Sequence, residues 1–163
     1  MPDPETAILS VCTTCRAAGD ASEPRAGAKL LAALLAEAAR EPVPGLAIEG
    51  AECLSVCKRP CTVAVASAGR WTYVYGDFDA REAPETSART ILAGLRRYLE
   101  TPDGVVPWRE RPEAFRKGVV ARIPPLRVPH KTPAHRPFRL RARRRDGSLV
   151  RDIQAAPNRT PRS

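Results

Sequence analysis

Histidine is nearly missing from this chain: 163 residues carry two, His130 and His135, both in the proline-rich C-terminal stretch. That scarcity excludes a Cys/His zinc finger and a Rieske-type centre from the N-terminal part, because both need imidazole ligands. Long apolar runs are missing too. A membrane span needs roughly 20 apolar residues, and the longest candidate here is interrupted by Lys29, Glu37 and Arg40. Met1 to Thr6 is acidic and proline-bearing with no apolar run behind it, so no secretory leader is expected. There is no phosphate loop, no dinucleotide fingerprint and no nucleophile–base pair. The expected compartment is therefore the reducing cytoplasm, with no membrane involvement.

What is present divides unevenly along the chain. The net charge of +9 comes from the C-terminal end: residues 121–163 hold twelve Lys/Arg against two Asp/Glu, leaving fifteen basic and sixteen acidic groups in residues 1–120. A near-neutral domain thus precedes a basic tail. The tail has Pro129, Pro133 and Pro137, an Arg143-Arg144-Arg145 run and one aromatic, Phe138. Frequent proline and single-sign charge cannot support a packed core, so residues 124–163 read as disordered. Basic tails bind phosphates non-specifically, but no recognition helix or finger accompanies this one, and nucleic acid is not the expected partner.

All five cysteines fall in two patches, Cys12-Thr13-Thr14-Cys15 and Cys53-Leu54-Ser55-Val56-Cys57-Lys58-Arg59-Pro60-Cys61. Clustered thiols in a reducing compartment point to metal binding or redox chemistry more than to structural disulfides. Buried cysteine is common as a small hydrophobe, yet these five are flanked by Thr, Ser and Arg rather than set on apolar faces. Four thiolates satisfy tetrahedral zinc or a two-iron cluster equally, and spacing does not separate the metals. Cys12 and Cys15 also form a C-x-x-C pair, the motif of thiol–disulfide oxidoreductases. Those enzymes activate the attacking thiol at a helix N-terminus, whereas here Gly19 to Pro24 separates the pair from the first helix.

The hydrophobic pattern orders the remaining elements. Residues 6–11 read as a strand delivering the first thiols. Residues 26–40 are dense in Ala and Leu, with Leu30, Leu31, Leu34 and Leu35 as the buried face of a helix that Pro42, Pro44 and Gly45 end. Strands follow at 46–50, 62–66 and 71–75, the last two joined tightly through Ala68-Gly69-Arg70 into an antiparallel hairpin. A second helix spans about 84–100, with Ile91, Leu92, Leu95, Tyr98 and Leu99 inward. The opening β-α-β unit would be a right-handed parallel crossover, which would bring both cysteine loops to one sheet edge. The order β-α-β, cysteine loop, hairpin, helix is the thioredoxin-like α/β architecture. We divide the chain into a cysteine-rich domain at 1–104, an extension packing on it at 105–123, and the tail at 124–163.

The residues Cys53-Leu54-Ser55-Val56-Cys57, followed by Val63-Ala64-Val65, resemble the second cysteine pair of the thioredoxin-like two-iron ferredoxins. With Cys12-Thr13-Thr14-Cys15, Gly69-Arg70-Trp71-Thr72-Tyr73 and Pro107-Trp108-Arg109-Glu110-Arg111-Pro112, the chain is also similar to an uncharacterised bacterial family of predicted metal-binding proteins, over about residues 6–125. The resemblance implies a [2Fe–2S] cluster, with zinc as the alternative, on Cys12, Cys15, Cys53 and Cys57. The ferredoxins space their first pair more widely than Cys12 and Cys15. Cys61, where relatives of the NADH-dehydrogenase type commonly have proline, is a spare thiol or a ligand in place of Cys15.

The expected function is ferredoxin-like electron transfer or metal handling, serving a redox partner protein or a metal-dependent enzyme, with no catalysis of its own. The resemblance also implies a homodimer. The alternatives are a thiol–disulfide oxidoreductase using Cys12 and Cys15, or a structural or trafficking zinc protein. Lys58 and Arg59 would steer an acidic partner or offset the negative charge of a thiolate-bound centre. Trp71, Tyr73 and Tyr75 alternate along one strand face and read as core in preference to a docking row.

Overall fold

The computed structural model describes residues 6–16, 19–78 and 80–126; the expectations for residues 127–163 lie outside them. Five strands form one sheet: β1 (Ala7–Cys12), β2 (Leu46–Ala51), β3 (Val63–Ala66), β4 (Thr72–Tyr75) and β5 (Val119–Ile123), in the order β2-β1-β3-β4-β5. β1 and β2 are parallel, with Cys12 opposite Ala51; β1–β3, β3–β4 and β4–β5 are antiparallel. Helix α1 (Ala26–Arg40) makes the crossover between β1 and β2, and α2 (Pro84–Glu100) follows the hairpin. This is a thioredoxin-like α/β fold in which the β2–β3 connection is the cysteine loop rather than a helix.

Burial alternates along the strands as the pleat requires. Leu9, Val11, Val63, Val65, Tyr73 and Tyr75 are buried on one face, while Ile8, Ser10, Ala64 and Val74 on the other are half-buried. The buried face packs on Leu30 and Leu34 of α1 and on Ile91, Leu92 and Leu95 of α2. Leu31 packs at the edge of this core, and Leu35, expected inside, is half-exposed. Helix α1 is buried through the stripe of Ala26, Leu30, Ala33 and Leu34, and Leu35 lies one step round from it. Pro84 opens α2, where a missing N–H costs nothing, and Glu85 and Arg97 complement its dipole at the two ends.

The hairpin turns at Gly69, with φ at 70°, as that connection demands. Tyr73 and Tyr75 lie in the core, with Tyr73 edge-on to Tyr98 and Tyr75 against Phe115 at 4.3 Å between ring centres. Trp71 is half-buried just before β4, under the Arg122 guanidinium at 4.7 Å. The aromatic alternation is therefore mainly core.

Beyond Gly104 the chain stays on the domain. A 3₁₀ turn (Trp108–Glu110) and the short helix α3 (Glu113–Lys117) lead into β5, which pairs with β4 across a register shift at Val74/Tyr75. Phe115 enters the core, and its ring lies 2.5 Å from where a Cβ on Gly94 would be, so that glycine leaves the notch into which α3 fits.

Candidate metal centre

The first thiol pair is built by three elements meeting at the end of β1. Cys12, its last residue, donates its N–H to the Thr62 carbonyl at 3.0 Å, and Thr13 donates to the Ala51 carbonyl at 2.8 Å. The Thr13 and Thr14 hydroxyls bond the Ala51 and Glu52 carbonyls, at 3.2 and 2.5 Å, tying the C-x-x-C turn to the start of the cysteine loop. Helix α1 closes the third side: Gly27 donates its N–H to the Cys15 carbonyl at 3.1 Å. A Cβ on Gly27 would stand 2.0 Å from the Cys12 carbonyl oxygen and 3.1 Å from the Cys15 Cβ.

The intervening loop, which in sequence separates the pair from the helix, thus folds so that the first turn of α1 rests on the C-x-x-C backbone. Its Gly27 donor is taken by the Cys15 carbonyl and not by either sulfur.

Both sulfurs are enclosed, with Cys12 3% and Cys15 7% exposed. Burial alone would raise the Cys12 thiol. The neighbouring Cys15 thiol, the Leu54 N–H, and the hydroxyl and N–H of Thr14 outweigh it and hold Cys12 below the usual cysteine range. Cys15 goes the other way: burial, together with the nearby Cys12, pushes it up against the N–H groups of Thr62 and Cys61. The Cys12 sulfur also lies 3.8 Å from the Glu52 carbonyl oxygen, the contact a protonated thiol makes. Two neighbouring thiols therefore have four backbone amides beside them, that of Thr14 and three from the second cysteine patch or the residue after it, Leu54, Cys61 and Thr62.

The second patch places its own thiols differently. Cys53 and Cys57 are exposed, and the Cys53 sulfur accepts the Ser55 N–H at 3.3 Å. Ser55 and Cys61 both take φ near +60°, so the loop turns sharply at each end. The Cys61 side chain is buried within the apolar core, and its backbone N–H faces Cys15. None of the five thiols is in a disulfide. Among the described residues, no three Cys, His, Asp or Glu side chains converge closely enough to hold a metal ion. The structure thus joins Cys12 with Cys15, carries Cys53 and Cys57 on the adjoining exposed loop, and draws Cys61 inward.

Arg59 also departs from the sequence reading. Its guanidinium bonds Asp77 and the carbonyls of Lys117 and Val119, and is not held out for a partner. The backbone donors of Leu54, Cys61 and Thr62 carry no signal in residue type. Gly27 does: a glycine inside an Ala/Leu helix costs stability and marks a close approach.

The element order, with a C-x-x-C pair enclosed at the end of the first strand, defines a thioredoxin-like protein with a paired-thiol site. Residues 9–125 match the family described as "Protein of unknown function (DUF1636)", and the chain belongs to that family. No curated protein matches it. Among solved structures, it is similar to a thioredoxin-like [2Fe-2S] ferredoxin from Aquifex aeolicus, at 17% identity over 72% of this chain and 93% of that one, with a TM-score of 0.46.

Proposed function

We propose that this protein binds a thiolate-ligated centre, a [2Fe–2S] cluster in first place, and acts in electron transfer or metal handling. Cys12, Cys15, Cys53 and Cys57 would be the ligands. The observation that carries the reading is the enclosed Cys12–Cys15 pair facing the amides of Leu54, Cys61 and Thr62. Amides directed at thiolate sulfur stabilise its negative charge, and such hydrogen bonds are among the features that set the potential of a cluster.

The residues present fit such a group in donor type and in the surroundings of the first pair. The second pair lies on a loop that begins beside Cys12 but is not drawn in against it, so the loop must close for all four sulfurs to serve. A bound two-iron cluster would supply one-electron chemistry, and this chain would enclose it, direct amides at its sulfurs and exclude water from one side. Exposed Lys58 offers a contact for an acidic redox partner. The test is metal analysis of Cys53→Ser and Cys57→Ser, each of which should abolish binding. Full metal occupancy in either variant would remove that residue from the ligand set.

A second reading has its own observation. Cys12 is lowered and Cys15 raised, the asymmetry an attacking and a resolving thiol would show. In that reading the Cys12 thiolate attacks a substrate disulfide and one substrate thiol leaves. Cys15 then displaces the second, so the pair is oxidised as the substrate is reduced. The 3% exposure of Cys12 works against access by a protein disulfide.

A further inference from the structure

Three backbone segments distant in sequence meet beside the cysteine loop, and one side chain ties them together. Arg59 lies between Cys57 and Cys61. Its Nε and Nη2 both reach Asp77 Oδ2 at 2.7 Å; Nη1 donates to the Val119 carbonyl and Nη2 to the Lys117 carbonyl, each at 2.9 Å. The loop backbone is held at the same place. Asp77 donates its N–H to the Pro60 carbonyl at 2.9 Å, and the Thr62 hydroxyl donates to the Arg59 carbonyl at 2.8 Å.

The approach is close enough to need glycine on two of the three segments. A Cβ on Gly76 would lie 2.7 Å from the Arg59 carbonyl oxygen, and one on Gly118 would lie 2.7 Å from the Gly76 oxygen. Gly76 in turn donates to the Gly118 carbonyl at 2.9 Å. Asp77 holds φ at 64°, a conformation that Asp tolerates better than most residues.

We propose that Arg59 is a positioning residue for the thiol site, clamping the cysteine loop to the hairpin end at Gly76-Asp77 and to the α3–β5 junction. It acts through the backbone. With residues 59–60 fixed and Cys61 turned at φ 56°, the chain runs directly into Thr62, whose carbonyl accepts the Cys12 N–H at 3.0 Å. The same clamp anchors Cys57 two residues away. A planar guanidinium meets three acceptors in a fixed fork, and lysine, with a single ammonium, does not reproduce that pattern. The role in binding rests on the thiolate-centre reading; the clamp itself does not.

The test uses the full chain, prepared metal-free under reductant, as wild type and as the Arg59→Met, Arg59→Lys and Asp77→Asn variants. Amide hydrogen exchange is measured over residues 54–62, with α1 and α2 as internal references. Co²⁺ is then titrated in competition with a chelator. We expect exchange in 54–62 to quicken in Arg59→Met while the helices keep their protection, and Co²⁺ affinity to fall about 10- to 100-fold, the usual cost of losing a group that orients ligands.

Arg59→Lys should not restore either property. Asp77→Asn leaves the two carbonyl partners in place, should show smaller changes in the same direction, and decides the matter if Arg59→Met fails to fold. Wild-type exchange in a folded variant would overturn the clamp. Faster exchange with unchanged Co²⁺ affinity would overturn the positioning role, as would lost affinity without faster exchange, which marks a charge effect. Wild type that binds no Co²⁺ would contradict the metal reading, and exchange alone would then decide the clamp.

Discussion

Cys61 shows how far residue type alone carries an assignment. It shares a patch with Cys53 and Cys57, and the sequence reading makes it a spare thiol or, as the alternative, a ligand in place of Cys15. Its side chain is packed in the apolar core and its backbone faces Cys15. Cys61→Ser should therefore cost roughly 1–3 kcal/mol, the cost of carrying a hydroxyl into apolar surroundings, while metal content stays near wild type. Thermal melting and metal analysis of the same preparation check both halves. Complete loss of metal would make Cys61 a ligand.

Gly27 gives the opposite lesson. Alanine is favoured over glycine within a helix by about 1 kcal/mol, but a Cβ here would sit 2.0 Å from a backbone oxygen that cannot swing away. The overlap wins. We expect Gly27→Ala to destabilise the fold by about 1–3 kcal/mol net, in the range of overpacked sites, and a melting temperature at or above wild type would contradict the packing of α1 on the thiol turn.

Tyr98 supplies a pH dependence. Burial, with the nearby Tyr73 and against the pull of Arg70, raises its hydroxyl from the ordinary 10.0 to about 12, and that hydroxyl donates to the Trp71 carbonyl at 2.9 Å. Between those values the folded state holds a proton that the unfolded state has lost. The contribution is thus full below pH 10 and declines as pH rises towards 12. Denaturant midpoints should fall as pH rises from 10 towards 12, and Tyr98→Phe should flatten part of that fall.

At the scale of elements, the two long helices are legible because leucine recurs at helical spacing and proline or glycine stops each one. Their expected bounds, 26–40 and about 84–100, agree with the structure. Strands β1 to β4 are legible because short β-branched runs are bracketed by turn residues. The thioredoxin-like order follows from that sequence of elements.

β5 is harder to read. Val119–Ile123 carries a weak alternation, and it pairs with β4 just beyond α3, whose Phe115 packs against residues far away in sequence. Phe115 lies against Tyr75 and within 6.0 Å of Phe78, ring centre to ring centre. Phe115→Ala should accordingly cost about 3–5 kcal/mol, measured by denaturant unfolding. A loss below about 1 kcal/mol would show that α3 and β5 only rest on the surface. The two cysteine patches are legible in the sequence, but their placement is not: backbone amides lie beside Cys12 and Cys15, which no residue code announces, and no local pattern marks that Cys53 and Cys57 stay exposed while Cys61 is drawn into the core.

At the scale of the whole molecule, the charge divides where the family match ends. Residues 9–125 carry the shared domain, and the basic excess lies wholly beyond residue 120. Among the described residues, no helix is long and apolar enough to cross a membrane. The central claim is the thiolate-bound centre, and protein purified without oxygen tests it most directly: visible absorption and electron paramagnetic resonance, with iron, acid-labile sulfide and zinc assayed on the same sample. The account predicts a coloured protein with iron and sulfide in equal amounts and a paramagnetic signal that appears on reduction. A colourless protein holding one zinc would replace the cluster with a structural or trafficking site. Colourless, metal-free protein with a readily reduced Cys12–Cys15 disulfide would contradict the account and leave thiol–disulfide exchange as the function.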